Sequence, residues 1–315
     1  MIDGLDVTIH IGVPKTATTS LQYGVFLPCP LWDYLGPLPR DWQASEWHSE
    51  GRRWMIQMAL AGELQYRREE PRIREFFASH CSGDRPLLIS DEKLATSHYF
   101  VSMASYADQY LVAHRLKRLF PQARILIGIR NQFAFLQSLF GEMTRHLCLP
   151  MTSYKVWLRS ELLRLEQGVP HGLAMGDHEA LYELYAELFG RANVKVFLFE
   201  VFVKDDTAVL RDILGFMSVD AEAVLAYRKD LFVNRRASRR EIFLRKTYDR
   251  FRSLFRRVPR PLRSSVLDWG QRGKGFADYT YTDQERRIFQ DYFGEGNRRL
   301  AEATGLNLEE NGYPM

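Results

Sequence analysis

The chain of 315 residues is 46% hydrophobic and 26% charged, with a formal net charge of +4. This composition is typical of a globular protein that buries a large core, and it excludes disordered and collagen-like chains. No apolar run of roughly 18 residues or more is present, so no membrane-spanning helix is expected.

Five short apolar runs are predicted to form strands. Their residues are almost continuously apolar rather than alternating, which suits strands that are buried on both faces of a sheet. In chain order the runs are Val7–Val13, the weaker candidate Leu31–Gly36, Pro86–Asp91, Arg124–Arg130 and Val194–Glu200.

Helical patterns occupy the segments between these runs. The predicted helices are Thr18–Phe26, one or two helices in Arg52–Ser79, Tyr106–Phe120 and His178–Phe189. Helices also follow Glu200, with a capping-box pair at Thr282 and Glu285 and a helix stop at Gly305. This alternation predicts an α/β fold with a parallel sheet of about five strands, in a single domain over residues 1–315.

The turn after the first strand carries the strongest functional signal. Residues His10–Gln22 leave the strand and open a helix, and they contain Lys15 and a cluster of hydroxyl residues. Free backbone N–H groups and the positive end of the helix dipole meet at such a turn. A lysine with several hydroxyl donors there can surround a phosphate or sulfate. The hydroxyl residues are Thr16, Thr18, Thr19 and Ser20.

The spacing of this turn is not that of a Walker A loop. Only two residues separate Gly12 from Lys15, and Pro14 directly precedes the lysine. A Walker A loop has four residues between its glycines, and the second glycine directly precedes the lysine. The sequence therefore argues against an ATPase, a GTPase or a nucleotide-dependent kinase.

The turn instead resembles the 5′-phosphosulfate loop of sulfotransferases that use 3′-phosphoadenosine-5′-phosphosulfate (PAPS), P-K-[ST]-[GA]-T-[TS]. The resemblance implies a P-loop-like three-layer fold with extra C-terminal helices. It also implies that Lys15 contacts the bridging oxygen and the 5′-phosphate. Ala17 stands where many members carry glycine. The residues implied to bind the phosphosulfate are Lys15, Thr16, Ala17, Thr18, Thr19 and Ser20.

A second motif follows the fourth predicted strand, where Arg130 ends the run and Ser138 lies eight residues on. Ligands of open α/β sheets bind outside the carboxyl ends of the strands, and an arginine there can donate two parallel hydrogen bonds to a phosphate. The pair resembles the family's 3′-phosphate motif, with Gln132 in place of a frequent proline, which implies that Arg130 and Ser138 bind that phosphate. The alternative is a surface arginine and a solvated serine.

Two C-terminal segments extend the resemblance. The basic, glycine-rich stretch Gly270–Gly275 is similar to a loop with which some sulfotransferases close over the 3′-phosphate, which implies contacts from Arg272 and Lys274. A flexible basic loop without a role is the equal alternative. Residues Gly294–Pro314 also resemble the C-termini of bacterial sulfotransferases.

The third predicted strand runs into Asp91, Glu92 and Lys93, which puts carboxylates at the same edge of the sheet. Transfer to a hydroxyl needs a base to take its proton, and a partly buried carboxylate can do so. The Glu-Lys pair resembles heparan-type sulfotransferases, which implies Glu92 as the base and Lys93 near the sulfate. The alternatives are Asp91, which is expected to point the other way, His98, as in phenol-type members, and a solvated acidic turn.

The resemblance implies that a sulfuryl group moves from PAPS to an acceptor hydroxyl, which leaves adenosine 3′,5′-bisphosphate. No metal ion is implied, because Lys15 and backbone N–H groups supply the charge stabilisation. A carbohydrate or glycolipid acceptor follows from the Glu-Lys resemblance alone, and a peptide tyrosine or a small metabolite stays open. The alternative from another class is a non-catalytic protein that binds an anion or polymer through the same loop.

Tryptophans and basic residues are concentrated after the first helix. Exposed aromatic side chains beside basic groups suit stacking on sugars and binding of anionic groups, but at least two of the four tryptophans are expected in the core. These residues are Trp32, Trp42, Trp47, Trp54, His48, Arg52 and Arg53.

Residues 235–263 form a basic segment, with twelve Lys or Arg against Glu241 and Asp249. Apolar residues from Leu244 to Phe255 recur there at helical spacing, which is typical of a helix with a solvated basic face. Alternatively, this segment binds an anionic polymer or a membrane surface. A nucleic-acid partner is not expected, because no binding motif is present and the whole chain is only mildly basic.

Cysteine usage and the N-terminus bear on the cellular compartment. Cys29, Cys81 and Cys148 are odd in number and widely spaced, so they predict reduced thiols rather than a disulfide framework or a zinc site. The first strand begins almost at once, without a signal-peptide pattern. We therefore expect a cytoplasmic protein, with a peripheral position at the inner membrane face left open by the basic segment.

Overall fold

A computed structural model describes residues 4–39, 43–81, 83–95, 109–145, 153–169, 171–229 and 279–315. For Lys93 and Arg145 it describes the backbone alone. Several predicted features lie outside the described residues: Trp42, His98, Cys148, the basic segment 235–263, Arg272 and Lys274. No helix of the described residues is long and apolar enough to cross a membrane.

Five parallel strands form one sheet, as the sequence predicted. They are β1 (Val7–Gly12), β2 (Asp33–Leu35), β3 (Leu87–Ser90), β4 (Arg124–Ile129) and β5 (Val194–Leu198). Their order across the sheet is β2-β3-β1-β4-β5, and every neighbouring pair is parallel. All residues of β1 and β3 are buried, including the polar Thr8 and His10 of β1, so both faces of these strands are covered. The weak candidate is confirmed as the short edge strand β2.

The described helices follow the predicted alternation with strands. They are α1 (Thr18–Leu21), α2 (Glu46–Leu60), α3 (Glu63–His80), α4 (Gln109–Leu119), α5 (Gln132–Arg145), α6 (Tyr154–Glu166), α7 (His178–Phe189), α8 (Phe199–Lys204), α9 (Asp206–Phe216), α10 (Ala221–Leu225) and α11 (Asp283–Thr304). A π-helical turn, Gln22–Phe26, continues α1, and short 3₁₀ helices include Glu92–Leu94.

The predicted helical segment Arg52–Ser79 is two helices, and the first starts earlier than predicted. Ser45 caps α2, because its hydroxyl accepts a hydrogen bond from the backbone N–H of His48 at 3.4 Å. The capping box before α11 is confirmed: Thr282 N–H donates to Glu285 at 2.8 Å, and Glu285 N–H donates to the Thr282 hydroxyl at 3.2 Å. Gly305 stops that helix as predicted, with φ of 71°.

The chain divides into two compact units. The first comprises the described residues of Met1–Asn131, Asp177–Val233 and Phe289–Met315, and it contains the whole sheet. The second comprises the described residues of Gln132–Gly176 and Asn234–Ile288. Because the chain enters each unit more than once, neither is continuous in sequence. The single domain expected over residues 1–315 stays a prediction.

Each unit has its own apolar packing. In the first, buried side chains of β1, β3, β4 and β5 are covered by helices, with α7 against β4 and β5 and α9 against β5. In the second, aromatic rings pack edge to face, for example Phe140 with Tyr154 at 5.5 Å and Phe133 with Tyr281 at 4.9 Å between centroids. Cys29 and Cys81 are buried free thiols in the first unit.

Candidate active site

The candidate site lies in the first unit, at the carboxyl edge of the sheet between β1 and β4. The chain leaves β1 towards the β2 side of the sheet and leaves β4 towards β5. In open α/β sheets, ligands bind in the crevice where neighbouring connections diverge in this way. The phosphate loop, residues 12–20, follows β1, and Arg130 follows β4. The first predicted cofactor motif and Arg130 of the second therefore border this crevice.

Two hydroxyls of the phosphate loop are directed to the loop's own backbone. The Thr16 hydroxyl donates to the Val13 carbonyl at 2.5 Å, and the Thr18 hydroxyl donates to the same oxygen at 3.3 Å. Both threonines are buried, whereas Lys15 and Thr19 are half-buried. Thr16 and Thr18 thus hold the loop in shape, which the sequence pattern did not indicate.

The backbone of the loop is left-handed at two residues that are not glycine. Lys15 has φ of 68° and Ala17 has φ of 67°. This conformation costs an L-residue about 1–2 kcal/mol and is free of that cost for glycine. Position 17 is therefore one at which glycine would be favoured, and the two threonine hydrogen bonds help to keep alanine in this conformation.

Gly128 of β4 allows the loop to lie close against the sheet. The backbone N–H of Val13 donates to the Gly128 carbonyl at 2.9 Å. A Cβ atom at position 128 would lie 2.5 Å from the Phe197 ring and 2.8 Å from the Thr16 hydroxyl. A side chain at this position would therefore displace the loop or the ring.

Arg130 contacts the phosphate loop directly. Its Nη1 donates to the Lys15 carbonyl at 3.2 Å, and its guanidinium lies 4.2 Å from the centre of the Phe199 ring. The Nε2 atom of His178 lies 2.8 Å from the Arg130 carbonyl. Burial lowers the pKa of His178 to about 4, so at neutral pH it is an uncharged hydrogen-bond donor to that carbonyl.

Residues at the end of β4 are braced by partners that sequence reasoning missed. The backbone N–H of Asn131 donates to Glu200 at 3.0 Å, and the Tyr313 hydroxyl donates to the same carboxylate at 3.2 Å. The Asn131 side chain also donates to the Asn311 carbonyl at 3.1 Å. Burial raises the pKa of Glu200. An acidic residue at the end of an apolar strand was the available signal.

Glu92 lies beside the start of the phosphate loop. Gly12 has φ of 94°, and a Cβ atom there would be 3.0 Å from both Cα and Cβ of Glu92. Glu92 is half-buried, whereas the neighbouring Asp91 is buried. The backbone N–H of Asp91 donates to the His10 carbonyl at 3.1 Å. The two carboxylates thus have different environments, and Glu92 is the more accessible.

Tyr23 and Arg52 belong to the surroundings of Glu92, and sequence reasoning assigned neither to the catalytic site. Burial raises the pKa of the Tyr23 phenol, the positive charge of Arg52 lowers it, and the negative charge of Glu92 raises it. A tyrosine is influenced by both charges only when both are near. Tyr23 comes from the π-helical turn and Arg52 from α2, so the chain separates them widely.

A buried polar cluster lies beneath the loop. The Nδ1 atom of His10 is 2.8 Å from the Ser90 hydroxyl, to which Gln22 donates at 3.0 Å. Burial lowers the pKa of His10 to about 3, so the imidazole is neutral. The cluster joins β1, β3 and the π-helical turn, and it fixes the strand ends from which the loop and Glu92 project.

Other predicted site residues fall elsewhere. Ser138 is buried on α5 in the second unit. Of the tryptophans, Trp32 is buried and donates to the Phe26 carbonyl at 2.7 Å, and Trp47 stacks on Phe76 with 5.4 Å between centroids. Of the three described tryptophans of this set, Trp32 packs in the core, whereas Trp47 and Trp54 are half-buried, so the expectation of at least two in the core is met by one of the three.

The chain resembles solved structures of sulfotransferases. The chain superposes on a sulfotransferase from Alicyclobacillus acidocaldarius with a TM-score of 0.54 and 19% identity, over 98% of each chain. This similarity shows the fold: a five-stranded parallel sheet of the P-loop-like sulfotransferase type. The predicted fold class is confirmed.

Two further similarities are weaker. Mouse sulfotransferase SULT7A1, complexed with PAP, gives a TM-score of 0.46 and 17% identity, over 96% of this chain and 89% of that one. The sulfotransferase domain of the Synechococcus PCC 7002 olefin synthase gives a TM-score of 0.44 and 15% identity, over 72% of this chain and 78% of that one. No family model matches the sequence, and no curated protein does.

Proposed function

We propose that the protein transfers a sulfuryl group from PAPS to an acceptor hydroxyl. The observation that carries this proposal is the hydrogen bond from Arg130 to the Lys15 carbonyl at 3.2 Å. This hydrogen bond joins two cationic residues at one crevice: Lys15, which follows β1, and Arg130, which follows β4. PAPS carries a phosphosulfate and a separate 3′-phosphate, so a site for it needs cationic groups of this kind.

The residues at the crevice fit such a nucleotide. Lys15 and the N–H groups of the loop, with the hydroxyls of Thr19 and Ser20, would hold the phosphosulfate. Arg130 would hold the 3′-phosphate through its planar donor fork. Contacts from Ser138, Arg272 and Lys274 to the 3′-phosphate stay predictions.

PAPS, when bound, supplies the sulfuryl group that is transferred. Glu92 would take the proton of the acceptor hydroxyl as its oxygen attacks, since it is the accessible carboxylate beside the loop. Lys15 would stabilise the negative charge that develops on the leaving bridging oxygen, in company with the loop N–H groups.

The acceptor that we propose is a carbohydrate or glycolipid, from the Glu-Lys resemblance. A peptide tyrosine or a small metabolite is the alternative acceptor, and anion binding without turnover is the alternative function. The basic segment 235–263 as a contact for an anionic polymer or membrane stays a prediction, as does a cytoplasmic location.

Calorimetric titration with adenosine 3′,5′-bisphosphate, AMP and ATP tests the proposal. A 3′-phosphate contact from Arg130 should favour the bisphosphate over AMP by about 30- to 150-fold, the effect of roughly 2–3 kcal/mol for a charged hydrogen-bonded contact. Arg130→Gln should remove this preference, and Arg68→Gln on the exposed face of α3 should keep it. Equal affinity for the bisphosphate and AMP, or tighter binding of ATP, would contradict the proposal.

A further inference from the structure

A cleft of about 450 Å³ lies along α2 in the first unit. We call it the α2 cleft, and its walls include Leu38, His48, Arg52, Arg53, Ile56 and Gln57. Its volume is within the range of pockets that hold small organic ligands, roughly 300–1,000 Å³. Its lining combines apolar residues such as Leu38 and Ile56 with polar and charged ones such as Arg52.

Three polar atoms of the α2 cleft are buried without a hydrogen-bond partner among the described residues. They are Nε of Arg52, Nε2 of His48 and Oε1 of Gln57. The other ring nitrogen of His48, Nδ1, is 2.8 Å from the Ser45 hydroxyl. Buried polar atoms without partners are uncommon and call for an explanation. Nε of Arg52 is a donor, Oε1 of Gln57 is an acceptor, and Nε2 of His48 is either, depending on the tautomer. All three residues line the same cleft, which suits a polar ligand.

The charge of the cleft is positive. Arg52 and Arg53 both line it, and neither forms an ion pair with a carboxylate of the described residues. A half-buried guanidinium is stabilised by an anionic partner with parallel acceptor oxygens. Burial lowers the pKa of His48, so this residue adds a hydrogen bond rather than a further positive charge.

The α2 cleft reaches the end of the strand that leads to the candidate base: Gly36 lines the cleft, and a Cβ atom there would be 2.6 Å from the Ser90 carbonyl oxygen. Arg52 is near enough to the Tyr23 and Tyr34 phenols to influence both, and the Tyr23 phenol is also influenced by Glu92. Glu92 in turn lies against Gly12 at the start of the phosphate loop. For an acceptor held in the α2 cleft, Glu92 would therefore lie in the direction of the phosphate loop.

We propose that the α2 cleft binds the acceptor and that Arg52 selects acceptors carrying a carboxylate, with His48 and Gln57 as hydrogen-bonding partners. The inference rests on the proposed function and adds a substrate class to it: a hydroxyl compound that already bears a negative charge. Arg52 is here a specificity-determining residue that contacts the acceptor rather than the reacting atoms.

Matched ligand pairs test this inference by calorimetry in the presence of adenosine 3′,5′-bisphosphate. One pair is p-nitrophenyl β-D-glucuronide and p-nitrophenyl β-D-glucoside. The other is 4-hydroxyphenylacetate and 4-hydroxyphenylethanol. In each pair the two compounds differ by a carboxylate against an alcohol. We expect the charged compound of at least one pair to bind about 10-fold or more tightly than its neutral partner, as for a charged hydrogen-bonded contact.

Variants assign the preference to Arg52. Arg52→Gln should reduce the charged-to-neutral ratio to near 1, Arg52→Lys should keep part of it, and the exposed control Arg68→Gln should leave it unchanged. Bisphosphate affinity of the Arg52 variants should match that of the parent protein, which checks that they are folded. The preferred pair also indicates whether the acceptor is a sugar or a phenol.

Two outcomes overturn the inference. It fails if neither charged compound is preferred, or if the preference survives in Arg52→Gln. The outcome for the proposed function is read separately, from bisphosphate binding. If the protein prefers carboxylates through Arg52 but does not bind the bisphosphate, the α2 cleft is confirmed as a carboxylate site and the proposed sulfuryl transfer is contradicted.

Discussion

The phosphate loop and the α2 cleft differ in how their polar groups are satisfied. In the loop, the hydroxyls of Thr16 and Thr18 donate to the Val13 carbonyl, and Arg130 donates to the Lys15 carbonyl. In the cleft, polar atoms of Arg52, His48 and Gln57 are buried without partners among the described residues. The loop has a shape that its own hydrogen bonds maintain, whereas the cleft has polar groups that a ligand would complete.

This difference predicts different consequences of substitution. A change in the loop should alter the binding of any nucleotide ligand, because the loop's shape is shared by all of them. A change in the cleft should alter the choice of acceptor and leave nucleotide binding intact. Glu92 lies beside the start of the phosphate loop and is the proposed base, so its substitution should affect the transfer step without a loss of either ligand.

Glu92→Gln should have the largest effect. The amide keeps the size and hydrogen-bonding capacity of the side chain but cannot accept the proton, so turnover should fall by roughly 10²- to 10⁴-fold. Affinity for adenosine 3′,5′-bisphosphate should change little. The rise of rate with pH through one ionisation, measured with radiolabelled PAPS, should vanish in the variant.

Two variants decide between the candidate bases. Asp91→Asn and His98→Ala should keep most of the activity if Glu92 is the base. An inactive His98→Ala protein beside an active Glu92→Gln protein would assign the proton transfer to the histidine. The carbohydrate acceptor would then lose the resemblance on which it depends.

Lys15→Ala should come next, with turnover reduced by about 10²- to 10³-fold, the usual effect of removing one group that stabilises developing charge. Lys15 is half-buried on a loop, so its removal should leave the unfolding transition nearly unchanged. The control is Lys195→Ala, which removes a surface ion pair with Asp212 and should cost at most about 1 kcal/mol of stability with normal turnover. Turnover of Lys15→Ala close to that of the parent would exclude the proposed role.

Gly128→Ala should have the smallest effect of the three and should act through the loop alone. The added methyl would press on Phe197 and the Thr16 hydroxyl. Overpacking of this kind lowers the free energy of unfolding by about 1–3 kcal/mol, which urea denaturation would measure. Bisphosphate affinity should fall with it, while the charged-to-neutral preference of the α2 cleft should persist. Gly215→Ala on α9 is the control, because a Cβ there meets nothing within 4 Å. If Gly128→Ala also changed acceptor preference, the two regions would not be independent.

The elements that the sequence predicted are those with a local cause. The run at Arg124 is apolar from Ile125 to Ile129 because both faces of its strand are buried, and that property is visible residue by residue. The capping box at Thr282 spans one helical turn. The loop after β1 combines a lysine with adjacent hydroxyls, so the pattern was readable without any knowledge of the fold.

What could not be predicted depends on contacts between distant parts of the chain. The pKa of the Tyr23 phenol is influenced by both Arg52 and Glu92, three residues from separate elements of the chain, and no spacing in the sequence encodes their proximity. The brace formed by Glu200 and Tyr313 behind Asn131 joins the end of β5 to the C-terminal segment. The helix α2 started early because a single serine caps it, a signal too short to outweigh the apolar pattern.

The left-handed alanine in the phosphate loop has a consequence for how relatives of this chain could be recognised. Ala17 holds a conformation suited to glycine, with φ of 67°, while Thr16 and Thr18 hold the loop from either side. Where side-chain hydrogen bonds maintain a turn, glycine at that position becomes replaceable during divergence. A search pattern that requires glycine there would pass over such chains. A pattern that requires a lysine followed by hydroxyl residues at the first and third positions would retain them.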